Sequence, residues 1–162
     1  MLRFLLTSGL LAFSAPAIRA MPQSDASGVQ DCISGHAFGD WDLPASRGDV
    51  GHARGVLVLA DGTPTLLLGA ELHPELLPGG HPGGRIEGFL RLPDADRPVA
   101  AVRGHYLLRR DGSGLFRALI LRPGPRPGDP PTRIGGIEGV FRDPSLRPNS
   151  PGHLRARWMI CR

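Results

Sequence analysis

Arg85-Ile86-Glu87-Gly88-Phe89-Leu90-Arg91-Leu92 alternates with period two. Ile86, Gly88, Leu90 and Leu92 share one side, and Arg85, Glu87, Phe89 and Arg91 share the other, which is how side chains divide on a β-strand. The pattern recurs downstream. Val102, Gly104, Tyr106 and Leu108 form one inner set, and Phe116, Ala118 and Ile120 form the next. Ile137, Gly139 and Phe141 follow, and the last set is Leu154, Ala156, Trp158 and Ile160, with Arg155 and Arg157 opposite. Small residues stand at the middle of each set and large or aromatic ones stand beside them. The copies are too irregularly spaced for a solenoid, so the pattern predicts a meander of antiparallel strands.

Upstream, Val56 to Leu59 and Thr65 to Leu68 flank Asp61-Gly62-Thr63-Pro64. Asp-Gly supplies the positive φ that tight turns require, so this is a hairpin. Its two strands are apolar at nearly every position, which predicts cover on both faces. Asp111-Gly112-Ser113-Gly114 is a second turn of the same kind. Seven strands follow from these patterns, with an eighth possible near Cys32 to Trp41. The expected fold is all-β, a small antiparallel meander of seven to eight strands closed as a barrel or folded as a sandwich. The barrel is preferred. Gly88, Gly104, Ala118, Gly139 and Ala156 would relieve crowding where a small barrel is tight, or leave room for a ligand.

Glycine and proline, 23 and 17 residues, punctuate the chain too often for long helices. Arg122 to Arg133 is proline-rich and reads as an exposed, extended loop. Leu72 to Gly84 also reads as a loop, with at most one helical turn. Pro144, Pro148 and Pro151 mark a third before the last strand.

The first 20 residues carry Arg3, an apolar run from Phe4 to Phe13 and then small residues, the layout of a secretory signal. Ala15-Pro16-Ala17 offers one cleavage site and Ala20 the other, so the mature chain begins at Ile18 or Met21. The run is too short and too broken by Ser8, Gly9, Ser14 and Pro16 for a retained membrane span. The expected organisation is a signal peptide over 1–20 and a single β domain over 21–162, with no transmembrane segment in the mature chain. Export to the periplasm or the medium favours pairing the two cysteines, Cys32 with Cys161.

All 19 basic residues are Arg, which fits the codon habit of a GC-rich genome better than a functional choice. The formal charge of +4 includes Arg3 and Arg19, so cleavage after Ala20 leaves +2. An excess that small does not imply nucleic acid, and the high isoelectric point reflects arginine's resistance to titration.

Chemistry-bearing motifs are sparse. His73, Glu75 and His81 share one segment but lack the tight ligand spacing of a metal site. Asp40, Asp42, Asp49 and His52 are the densest polar cluster, and carboxylates near a histidine are capable of acid/base work, yet such a run is more often a solvated loop whose Trp41 plugs the core. Gly112-Ser113-Gly114 lacks the surroundings of a nucleophile elbow, and Arg47-Gly48-Asp49 is too short to inform. No cofactor is implied, and the expectation leans away from an enzyme.

What remains is the outer face. Arg85, Arg91, Arg103, Arg109, Arg117, Arg142, Arg155 and Arg157 alternate with core positions, with Glu87 and Glu138 among them as cross-strand partners. Rows of guanidinium groups grip carboxylates or phosphates. The leading expectation is an exported, non-enzymatic envelope protein that binds another protein or an anionic envelope component. Its binding residues would be Arg85, Arg91, Arg103, Arg117, Arg155 and Arg157. The alternative is a small-molecule carrier with an apolar pocket inside the barrel, lined by Tyr106 and Trp158 beside the Gly/Ala row. The volume of the interior separates the two.

Overall fold

The structure, a computed structural model, describes residues 31–42, 49–142 and 152–161. The expected signal peptide, the Arg47-Gly48 pair and the prolines 144, 148 and 151 lie outside the described residues. The strands are β1 (Cys32–Asp42), β2 (Gly51–Leu59), β3 (Pro64–Leu77), β4 (His81–Arg91), β5 (Pro98–Leu108), β6 (Ser113–Arg122), β7 (Thr132–Arg142) and β8 (Gly152–Cys161). Each pairs antiparallel with the next, and β8 returns to β1, so the sheet closes into a barrel and the sandwich is excluded.

Closure follows from the one-sided apolar pattern. A meander with one apolar face hides that face, and leaves no open edge, only by curling on itself. Cys32 stands directly opposite Cys161 in the β1–β8 pairing, and the two form a disulfide across the closing seam. The barrel is narrow. Cross-strand partners lead from Asp42 through His52, Glu71, Glu87, Arg103, Leu119, Gly136 and Met159, and return to β1 at Ser34, eight residues early. Eight strands with a shear of eight enclose a space that side chains alone fill.

The inner sets fill it as the alternation predicts. Ile86, Leu90, Val102, Tyr106, Ala118, Ile120, Ile137, Phe141, Leu154, Ala156 and Trp158 are all buried. Trp41 and Phe141 pack with ring centroids 4.0 Å apart and planes tilted by 52°, with Tyr106 edge-on to Phe141, and together they plug one end. Deeper in, the Trp158 indole N–H donates to the carbonyls of His36 and Val58. At Gly104 a Cβ would collide with the Arg117 carbonyl oxygen, so glycine is what lets β5 and β6 approach there.

Three expectations are corrected. Leu92 is not an inner residue: β4 ends at Arg91 and Leu92 is 47% exposed. Leu72–Gly84 is not a loop but a long hairpin, β3 running to Leu77 and β4 starting at His81, with only Pro78-Gly79-Gly80 between. Its prolines are tolerated because each lies past a neighbouring strand. The β2 pairing stops at Leu72, before Pro74, and the β5 pairing stops at Gly83, after Pro82, so neither missing N–H interrupts a ladder on that side. Finally, β2 and β3 are covered on one face only. Leu57, Leu66 and Leu68 are buried inside, whereas Val56, Val58 and Leu67 are half-buried on the outer wall.

The two Asp-Gly turns hold as read. Gly62 and Gly112 have φ of 88° and 76°, and the Asp61 and Asp111 carboxylates accept the N–H of Thr63 and Ser113. The proline-rich segment is exposed between strands over residues 123–131, its ends Arg122 and Thr132–Arg133 belonging to β6 and β7.

Candidate functional site: the outer wall of β4 to β8 and β1

Among the described residues, the void inside the barrel is too small for a ligand. The void bounded by Trp41, Leu72, Ile86, Val102, Tyr106 and Phe141 measures about 30 Å³, the space of one water, against the several hundred Å³ that small-molecule pockets occupy. Tyr106 and Trp158 are 2% exposed each and serve as packing, on the opposite side of the wall from the arginines. The eight residues expected to bind therefore divide into two sets that do not meet.

On the outside, the register assembles a charged row. Arg85, His105, Arg117, Glu138, Arg157 and His36 stand opposite one another in turn from β4 to β8 and on to β1. Arg103 lies in the row below, opposite Leu119, and the same row continues through Gly136 to Met159. Arg155 lies in the row above, between Val140 and Phe38. Arg91 is elsewhere: it sits near the end of β4 opposite Leu67 and Pro98, and its guanidinium donates to the Ala95 carbonyl at 3.5 Å.

The arginines differ in what holds them. Arg85 is committed to carboxylates, Glu75 at 3.1 Å and Glu87 at 3.3 Å. Arg157 approaches Glu138 at 3.6 Å, a long and exposed pair that contributes at most about 1 kcal/mol. Among the described residues Arg103, Arg117 and Arg155 have no ion-pair partner, so their donors face solvent.

A feature the sequence reading passed over lies beside them. Leu107, Leu115, Val140, Arg155 and Phe38 form one continuous row, apolar but for Arg155, and Leu115, Val140 and Phe38 are 40%, 43% and 47% exposed. Leu119 and Met159 are exposed on the other side of the charged row. The signal was available: the alternation that turns Arg117 and Arg155 outward turns Leu115, Leu119, Phe38 and Val140 outward as well. Phe38, Leu107, Leu115 and Val140 with Arg117, Arg155 and Arg157 bound an open groove of about 840 Å³, with Leu77 of the β3–β4 hairpin at one margin.

Charge is unevenly spread around the barrel. Asp40, Asp42 and Glu71 face outward on β1 to β3, paired with His153 at 3.2 Å, His52 at 4.0 Å and His73 at 3.3 Å. The Asp40-Trp41-Asp42 cluster is thereby split, Trp41 inside and each aspartate with its own histidine. Among the described residues no three His, Cys, Asp or Glu side chains converge as metal ligands would. No helix among them is long and apolar enough to cross a membrane.

Comparison with models of known protein families finds no match, and comparison with curated proteins finds none either.

Proposed function

We propose that this chain is an exported, non-enzymatic binding protein of the cell envelope, periplasmic or secreted, that holds an anionic partner on the outer wall of β4 to β8. One observation carries the reading. Arg117 and Arg155, free of ion pairs among the described residues, line one groove with Arg157, Arg103 lies one row below, and the same wall carries exposed apolar side chains. Guanidinium groups without an internal carboxylate keep their bidentate capacity for an external one, or for a phosphate. The disulfide across the seam fits an oxidising compartment. The carrier alternative loses its support with the filled interior.

Native mass spectrometry of the protein recovered from its own envelope tests this. Expected is a complex that dissociates with rising salt and is absent from an Arg117→Glu/Arg155→Glu variant of unchanged fold. A complex that survives charge reversal intact contradicts the reading.

A further inference from the structure

The groove says more about its occupant than charge alone. A polyanion without apolar surface would leave Leu115, Val140 and Phe38 facing water, and these three, with Arg155 between Val140 and Phe38, form a row immediately beside the cationic one. Contiguous exposed apolar side chains rimmed by polar ones mark recognition of something that is itself amphipathic. A second copy of this chain fits poorly. The wall from β4 to β8 sets Arg85, Arg103, Arg117, Arg155 and Arg157 against Glu87 and Glu138, so two such faces would repel.

The closed sheet restricts the form of a polypeptide partner. A strand binds a sheet by adding to its edge, and along the rows that line the groove every strand from β5 round to β1 is paired on both sides; open edges lie only beyond them among the described residues, where β3 and β4 run past β2 and β5. A strand laid across the wall would bury backbone N–H and C=O groups with nothing to bond, whereas a helix satisfies its backbone internally. The row from Leu115 through Val140 and Arg155 to Phe38 covers three inter-strand steps. At about 4.8 Å per step that is roughly 14 Å, the length of about nine helical residues, or two to three turns.

We infer that the groove on the outer wall of β5 to β8 and β1 is a docking site for an acidic amphipathic helix of a partner protein. Its apolar stripe lies on Leu115, Val140 and Phe38, and its carboxylates reach Arg117, Arg155 and Arg157. The inference rests on the anionic-partner reading above and adds the partner's class and secondary structure. Apolar anchors at i, i+3 or i+4, and i+7 follow one side of such a helix, and glutamates next to that stripe fall toward the arginine row.

The test uses the full mature protein and labelled synthetic peptides of about 14 residues, long enough to cover the groove. One is a helix-forming peptide with leucines at i, i+3, i+4 and i+7 and glutamates flanking them. A second has the same composition with the leucines dispersed, and a third replaces glutamate by lysine. Vesicles of phosphatidylglycerol and phosphatidylcholine form a further arm. Expected is saturable binding of the first peptide, at least about tenfold weaker binding of the second and none of the third. Amide shifts should concentrate on β6, β7, β8 and β1. Arg117→Ala/Arg155→Ala and, separately, Val140→Thr/Leu115→Thr each weaken the first peptide by about five- to tenfold, with circular dichroism unchanged. Equal binding of the first two peptides overturns the helix and leaves the anionic reading standing. Binding to the vesicles with neither acidic peptide bound overturns the helix in favour of a lipid surface. Binding of no acidic peptide and no vesicle overturns both.

Discussion

Tyr106, the chain's single tyrosine, reports on the interior more directly than any other residue. Its hydroxyl is buried and has no hydrogen-bond partner among the described residues. Burial first, and the nearby Glu75 carboxylate second, push its pKa up to about 12 from the ordinary 10. The folded protein keeps the phenol protonated where the unfolded chain loses the proton. The associated stabilisation is therefore complete below about pH 10 and is lost as pH rises toward 12. We expect ultraviolet titration of the native protein to show no phenolate until near pH 12. Stability should fall between pH 10 and 12, and Tyr106→Phe should abolish that slope. Titration near 10 would mean that water reaches the phenol and the plug of Trp41, Tyr106 and Phe141 is open. The outward residues differ in kind: among the described residues Arg117 and Arg155 pair with no carboxylate, so we expect replacing them to leave folding alone.

At the scale of elements, the seam between β1 and β8 is where the barrel is most exposed to failure. These are the two strands most distant in sequence, and pairing them closes a loop of 129 residues. The Cys32–Cys161 disulfide keeps that loop closed in the unfolded chain, a constraint worth up to about 5 kcal/mol on the chain-entropy view. We expect Cys32→Ser/Cys161→Ser to lower stability by about 2–5 kcal/mol in denaturant titrations while leaving the strand content intact. A loss well under 1 kcal/mol would place the stability of the seam in its ladder and side chains instead. The strands themselves were legible because period-two alternation survives every proline that falls between them. The β3–β4 hairpin was not, because Pro74 and Pro82 look like strand breakers until one knows that neighbouring strands end before reaching them. That knowledge is relational, and no local pattern contains it. The apolar outer row was half legible. Alternation turns Leu115, Val140 and Phe38 outward, but only the register shows that they stand side by side with Arg155 among them.

Taken whole, the molecule is a narrow barrel with a filled interior and two unlike walls. Sequence could not choose firmly between a packed centre and a ligand pocket, since glycine and alanine at mid-strand serve either. The shear of eight favours the packed centre: at that radius Trp41, Tyr106, Phe141 and their neighbours leave about 30 Å³ between them. Outside, the wall carrying Arg103, Arg117, Arg155 and Arg157 differs in charge from the wall carrying Asp40, Asp42 and Glu71, and the proposed binding falls on the first. The most direct test is site-specific photo-cross-linking in the source cell. A photoreactive residue is placed at Val140 in one variant and at Glu71, outward on β3 and half-way round the barrel from β7, in another. The account predicts one discrete protein adduct from Val140, lost when Arg117 and Arg155 are reversed to glutamate, and no adduct from Glu71. An adduct from Glu71 with none from Val140 would contradict it and move the binding surface to the opposite wall.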